Sequence, residues 1–259
     1  MAMNEILKNK EWRQLATRHE EKLVDLTKDW QLARQQKKKH PVIDFLFTYY
    51  SFSFNRLKAW TPGLGVGLEG PLVAPLSESR FVEEGGVVTL KSDLLPAHRL
   101  KAFEWTHSLL LKIPKNPPSF NCFGLHEWAM VYKDENIRHQ SLGLRVSQEV
   151  IAQQLEEKVL NCTHLDAIRF YTKEALPLNR FHPNRDDQED YEQSACLHAN
   201  MDLYKWAFKI YPWVSSELLL NCFELAMDCR KVDMMASPYD VASLGYDVIK
   251  VETLEGRER

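Results

Sequence analysis

In the stretch SACLHANMDLYKWAFKIYPW, residues 194–213, a histidine, an aspartate and a lysine recur at helical spacing as His198, Asp202 and Lys205. Side chains four and seven residues apart stack on one side of a helix. These groups therefore share a face with Lys209, beside an apolar stripe of Leu197, Met201, Tyr204, Phe208 and Tyr211. A carboxylate next to an imidazole can move protons or steady developing positive charge, and the same atoms ligate metals. The next helix is expected over Val214–Met235, with Leu218, Cys222, Leu225, Cys229 and Val232 as its apolar face. Its polar face then carries Glu217, Asn221, Glu224, Asp228 and Lys231. A short connection at Pro212 makes the two helices antiparallel neighbours. If their polar stripes converge, His198 and Asp202 approach Glu224 and Asp228; if they diverge, each is a surface face.

Two further segments embed polar groups in apolar runs. CFGLHEWAMVY, from Cys122, holds His126 and Glu127. A buried ionised Glu is rare unless paired, so Glu127 implies a partner. CTHLDAIRFY adds His164, Asp166 and Arg169, which equally suit a structural ion pair. The His-Glu pair is not followed by the x-x-H that would mark a zinc-protease helix.

The elements that must position these groups are mostly helical. A polar helix is expected from Glu5 to Lys39, and VIDFLFTYYSFSFNRLKAW reads as one buried helix or a pair of short ones. Glycines and prolines in TPGLGVGLEGPLVAP mark loop, and RFVEEGGVVTL reads as a hairpin turning at Glu84-Gly85-Gly86. These glycines lack the G-K-[ST] ending of a phosphate cradle. Helices are expected over Asp93–Ile113 and in EVIAQQLEEKVL, a short strand in LDAIRFYT, and a surface loop over Leu176–Glu192. The fold class is thus mainly α (α+β): a helical arm over 1–40 and a single α-rich domain over 41–259 with a small sheet or hairpin.

The bulk properties narrow the class. A formal charge of −3 does not advertise nucleic-acid binding, and the basic run ARQQKKKH suits a solvated helix end. No stretch approaches the ~20 apolar residues of a membrane span, and the N-terminus lacks the apolar core of a secretion signal. The five cysteines are odd in number and form no C-x-x-C pair. The expectation is a bacterial-type cytoplasmic protein with reduced thiols and no membrane partner.

HPVIDFLFTYYSF from His40, CFGLHEWAMVY from Cys122 and CLHANMDLYKWAFK continuing into FELAMDCRKVDMMASPYD resemble a group of bacterial proteins labelled 3-methyladenine DNA glycosylase. The likeness runs from His40 to Tyr246. It implies a DNA-repair hydrolase that cleaves the N-glycosidic bond of an alkylated purine, with DNA carrying that base as partner. The L-P-G-[VI]-G hairpin of helix-hairpin-helix glycosylases is absent, so no catalytic residue transfers by motif. On chemical grounds Asp202 would steady the oxocarbenium ion or position water, with His198 or Glu127 as proton-handling partner. Tyr49, Tyr50 and Trp128 are the candidates to stack the extruded base, although such aromatic runs usually pack inside. That reading needs no cofactor. The alternative is a helical non-haem iron or manganese enzyme acting on a small molecule, with ligands from His126, His198, Asp202, Glu224 and Asp228. The E-x-x-H repeat of ferritin-like sites is missing. A non-enzymatic protein that binds a partner through its N-terminal helix is the third possibility.

Overall fold

The computed structural model describes residues 5–73, 76, 80–134, 137 and 141–258. In chain order they form β1 (Glu5–Leu7), α1 (Asn9–Leu26), α2 (Lys28–Gln35), α3 (Ile43–Thr48), α4 (Phe54–Lys58), β2 (Val66–Glu69), β3 (Phe81–Glu84) and β4 (Val87–Leu90). Then follow α5 (Ala97–Lys112), α6 (Leu125–Ala129), α7 (Gln148–Glu156), α8 (Leu165–Ile168), α9 (Gln188–Tyr191), α10 (Leu197–Ile210), α11 (Ser216–Ala236) and α12 (Leu254–Glu258). The protein is mainly helical with one small sheet, and no described helix is long and apolar enough to cross a membrane. The chain gathers into two compact units. One takes the chain up to Thr106 and Met201–Met227; the other takes His107–Asn200 and the chain from Asp228 onward.

The first unit is organised around its sheet, in the order β1-β2-β4-β3. β3 and β4 form the expected antiparallel hairpin, and Gly85 and Gly86 turn it with φ of 61° and 79°. A two-residue hairpin turn of this hand demands positive φ at both central positions, which glycine adopts without strain. The long N-terminal helix expected from Glu5 divides differently. Glu5–Leu7 pair in parallel with Val66–Leu68, and the helix that follows breaks at Thr27. Thr27 is buried and turns its hydroxyl onto the Leu23 carbonyl at 2.6 Å, which competes with regular helix bonding. Trp12, on the inner face of α1, stacks on Trp60 and donates its indole N–H to the Glu69 carbonyl at 2.9 Å. Together with Leu68, Phe81, Val88 and Trp213 these rings make the core beneath the sheet.

In the second unit, α6 is buried along its whole length, with Trp128 donating to the Ala236 carbonyl at 3.0 Å. The strand expected in LDAIRFYT is instead the helical turn α8, because the N–H groups of Ala167 and Ile168 both return to the His164 carbonyl. Arg145 clamps the C-terminal segment with two bonds to Glu252, at 2.7 and 2.9 Å.

The face of α11 departs most from expectation. Leu218, Leu225 and Val232 are 49%, 38% and 42% exposed. The buried face runs through Leu219, Phe223, Ala226, Arg230 and Asp233, at steps of four, three, four and three. Two charged residues occupy the inward positions of the C-terminal half.

Backbone packing at Gly63 gives a test of the first unit. Its φ is +83°, and a Cβ there would lie 2.8 Å from the Ser215 backbone nitrogen. Gly63→Ala is expected to cost at least about 2 kcal/mol, from left-handed strain plus this overlap. Urea denaturation would show it, and a loss within error of zero would mean that the segment can shift.

Candidate active site

The site lies in the second unit and is assembled from four places in the chain. Cys122 and His126 flank the entry to α6, His164 precedes α8, His198 stands in the first turn of α10, and Arg230 and Asp233 come from α11. Gly124, at φ +73°, makes the sharp entry that lets Cys122 and His126 approach. The Cys122 Sγ lies 3.4 Å from His126 Nδ1, and His126 Nε2 lies 2.7 Å from Asp233 Oδ1. The other carboxylate oxygen of Asp233 accepts from Arg230 at 2.6 Å, and the same guanidinium nitrogen donates to Glu127 at 2.5 Å. His126, Glu127, Arg230 and Asp233 are each 3% exposed or less. This is the partner that an embedded Glu127 required.

Charge balance sets the proton positions. Burial alone would drive the His126 pKa down, but the Asp233 carboxylate outweighs it and holds the imidazole up at about 9. Burial would likewise raise Asp233, and the cations His126 and Arg230 keep it well below the usual carboxylate range. At neutral pH the knot is two cations against two carboxylates, which is how buried charges persist. A chain of polar contacts continues through sulfur. A hydrogen bond from Cys122 draws the Cys162 thiol down to about 6 against the effect of burial, and giving that bond raises Cys122 well above its ordinary value. Burial raises Cys196.

His198 completes the centre. Its ring meets His126 edge-on at 4.4 Å between centroids and lies nearly parallel to His164 at 5.2 Å. Burial, reinforced by the neighbouring His126 cation, pushes its pKa well below the ordinary value, so the ring is neutral. It is 6% exposed, and neither ring nitrogen hydrogen-bonds to another described residue. His164 Nδ1 lies 2.9 Å from the carboxylate of the buried Glu192. His126, His198 and Cys122 line a cavity of about 310 Å³, with Cys162, Thr163 and Cys196 on the same wall. One ligand atom each from His126, His198 and Asp233 lies within 4.8 Å of the others.

His126, His198 and Glu127 belong to the second unit, together with Trp128 and Asp228, whereas Tyr49, Tyr50, Asp202 and Glu224 belong to the first. Asp202 belongs to the first unit. It is 2% exposed, accepts from the Tyr50 hydroxyl at 2.9 Å and pairs with Lys205 one turn along its helix. Glu224 forms a surface ion pair with Lys22 at 2.7 Å, and Asp228 is exposed. Within the second unit Asp228 lies on the outward side of α11, and the inward side bears Arg230 and Asp233. Tyr49 stacks on Phe45 at 4.8 Å, and Trp128 is fully buried; these rings serve packing. Asp166 and Arg169 form an ion pair at 3.2 Å, with the Arg169 side chain largely exposed. No family model, no curated protein and no solved structure matches the chain.

The two ion pairs differ in what they should be worth. Arg230→Met leaves the buried Glu127 without its cation and Asp233 with His126 alone, and is expected to cost about 3–5 kcal/mol. Arg169→Met breaks a solvated pair and should cost under about 1 kcal/mol. Chemical denaturation of both variants checks this; equal losses would contradict the charge balance described for the knot.

Proposed function

We propose that the protein is a metal-dependent enzyme acting on a small molecule, with iron or manganese held by His126, His198 and Asp233. The observation that carries this reading is His198. A neutral imidazole, buried yet without a hydrogen bond among the described residues, faces a cavity beside a second imidazole and a carboxylate. A ring nitrogen that meets no protein donor or acceptor and lines a cavity is available to a ligand held there. Two imidazoles and one carboxylate are a donor set suited to non-haem iron and to manganese. When bound, the ion supplies Lewis acidity and open coordination positions in the cavity.

The surrounding residues fit supporting roles. Arg230 holds the second oxygen of Asp233, and Cys122 meets the second ring nitrogen of His126, so both groups are oriented from behind. To ligate through Nε2, His126 gives up the proton it shares with Asp233, and the ion takes over the compensation of the carboxylate. Excision of an alkylated purine from DNA is favoured less by this geometry. The carboxylate assigned to it, Asp202, has one oxygen on the Tyr50 hydroxyl and the other on the Lys205 ammonium.

Elemental analysis of protein purified without added metal is the test. About one iron or manganese per chain is expected, by the donor types. His198→Ala should reduce occupancy at least about tenfold, since one of the three ligands is lost. Asp202→Asn should leave it unchanged. Protein that takes up neither metal when both are supplied, and that releases methylated purines from DNA, would overturn this reading and restore the glycosylase.

A further inference from the structure

The walls of the cavity differ in kind from the knot behind them. Among the residues that line it there is no aspartate and no glutamate, while Arg257 contributes a guanidinium. That side chain is held in place. Its Nε donates to the Val251 carbonyl at 2.6 Å, one Nη donates to Gln154 at 3.3 Å, and the guanidinium lies 5.1 Å from the Phe123 ring centre. The remaining Nη has no hydrogen-bond partner among the described residues. Lys158 shares Gln154 with it at 2.7 Å, and its pKa is lowered by burial and then by the Arg257 charge. The two cations share Gln154; Glu157 and Glu252 act on Lys158 in the opposite sense, and Arg257 forms no ion pair with a carboxylate among the described residues.

Thr163 also lines the cavity, with Ser119 and Gln193; it is 8% exposed, and its hydroxyl has no partner among the described residues. The rest of the lining is largely apolar, with Phe123, Val232, Ile249 and Val251, and Phe120 stands 72% exposed at the rim.

We infer that the substrate of this cavity is a small organic carboxylate, its anionic end on Arg257 and its apolar body against Phe123, Ile249 and Val251. A guanidinium recognises a carboxylate with directed, charge-assisted bonds, and no aspartate or glutamate in the lining competes for Arg257; the one acidic group there, the Cys162 thiol, lies with the histidines. Few, well-placed polar groups in an apolar cavity of this size are the usual means of orienting a small ligand. The inference rests on the proposed enzymatic reading for the site, but Arg257 itself is not a metal ligand.

Three compounds of nearly one shape and different charge separate the alternatives: benzoate, benzamide and benzylamine, titrated calorimetrically into the full-length protein. Benzoate should bind at least about tenfold more tightly than benzamide, and benzylamine least, as expected for one desolvated charge-assisted contact. Arg257→Gln should abolish the preference for benzoate while leaving metal content and melting temperature as in the wild type. Arg257→Lys should retain part of it, which a merely structural role would not predict. The same titration on chelator-treated protein separates the two proposals. A benzoate preference that depends on Arg257 in a protein that takes up neither iron nor manganese when both are supplied supports the carboxylate site and defeats the metal centre. Metal-loaded protein that binds benzamide as well as benzoate, or an Arg257→Gln variant that keeps the preference, overturns the carboxylate site.

Discussion

The contact between Arg230 and its two carboxylates, Glu127 and Asp233, fixes the rest of the second unit. Three charged side chains at or below 3% exposure survive only because each compensates another. The requirement locks the C-terminal half of α11 to α6 in one rotational setting. A turn of either helix would leave a carboxylate or a guanidinium buried without its counter-charge. That same setting points Asp233 at His126 and leaves His198 against the other side of the imidazole. The geometry of the site thus follows from a neutrality condition more than from shape.

Much of the fold is legible in the sequence because its signals are local. The glycine pair of the β3–β4 hairpin, the apolar stripe of α10 and the stop of α11 before Pro238 depend on neighbouring residues alone. β1 is different: Glu5–Leu7 is a strand only because Val66–Leu68 offers it a parallel edge, and sixty residues separate the two. α8 is another case, since β-propensity in LDAIRFYT is overruled by backbone bonds to the His164 carbonyl.

The site is half legible for a related reason. Histidine inside apolar runs singles out His126 and His198, and an embedded Glu127 demands a partner. Arg230 and Asp233 escape because the rule that charges face water is applied to α11, whose two sides are both rich in apolar residues. On that rule Leu218, Leu225 and Val232 look buried. The finer signal was the four-three spacing that places Arg230 and Asp233 in phase with Leu219, Phe223 and Ala226. Charges in phase with a core stripe are expensive unless mutually paired, so their presence there is informative. Asp202 misleads in the opposite direction. It is buried, as a catalytic carboxylate often is, but its charge is already answered by Lys205.

The charge count links the two proposals for the cavity. Glu127, Asp233 and Arg230 together carry one net negative charge, which the proton on His126 cancels in the metal-free protein. A divalent ion that displaces this proton adds one positive charge to the centre, which ionisation of the Cys162 thiol offsets in part, and Arg257 adds another at the cavity edge. In a buried, weakly screened environment such an excess draws in an anion and repels a cation. A monoanionic carboxylate brings the loaded site closer to neutrality than any neutral substrate of the same shape. The preference for an anion should accordingly be stronger in the metal-loaded protein than in the metal-free one, with Arg257 supplying direction in both.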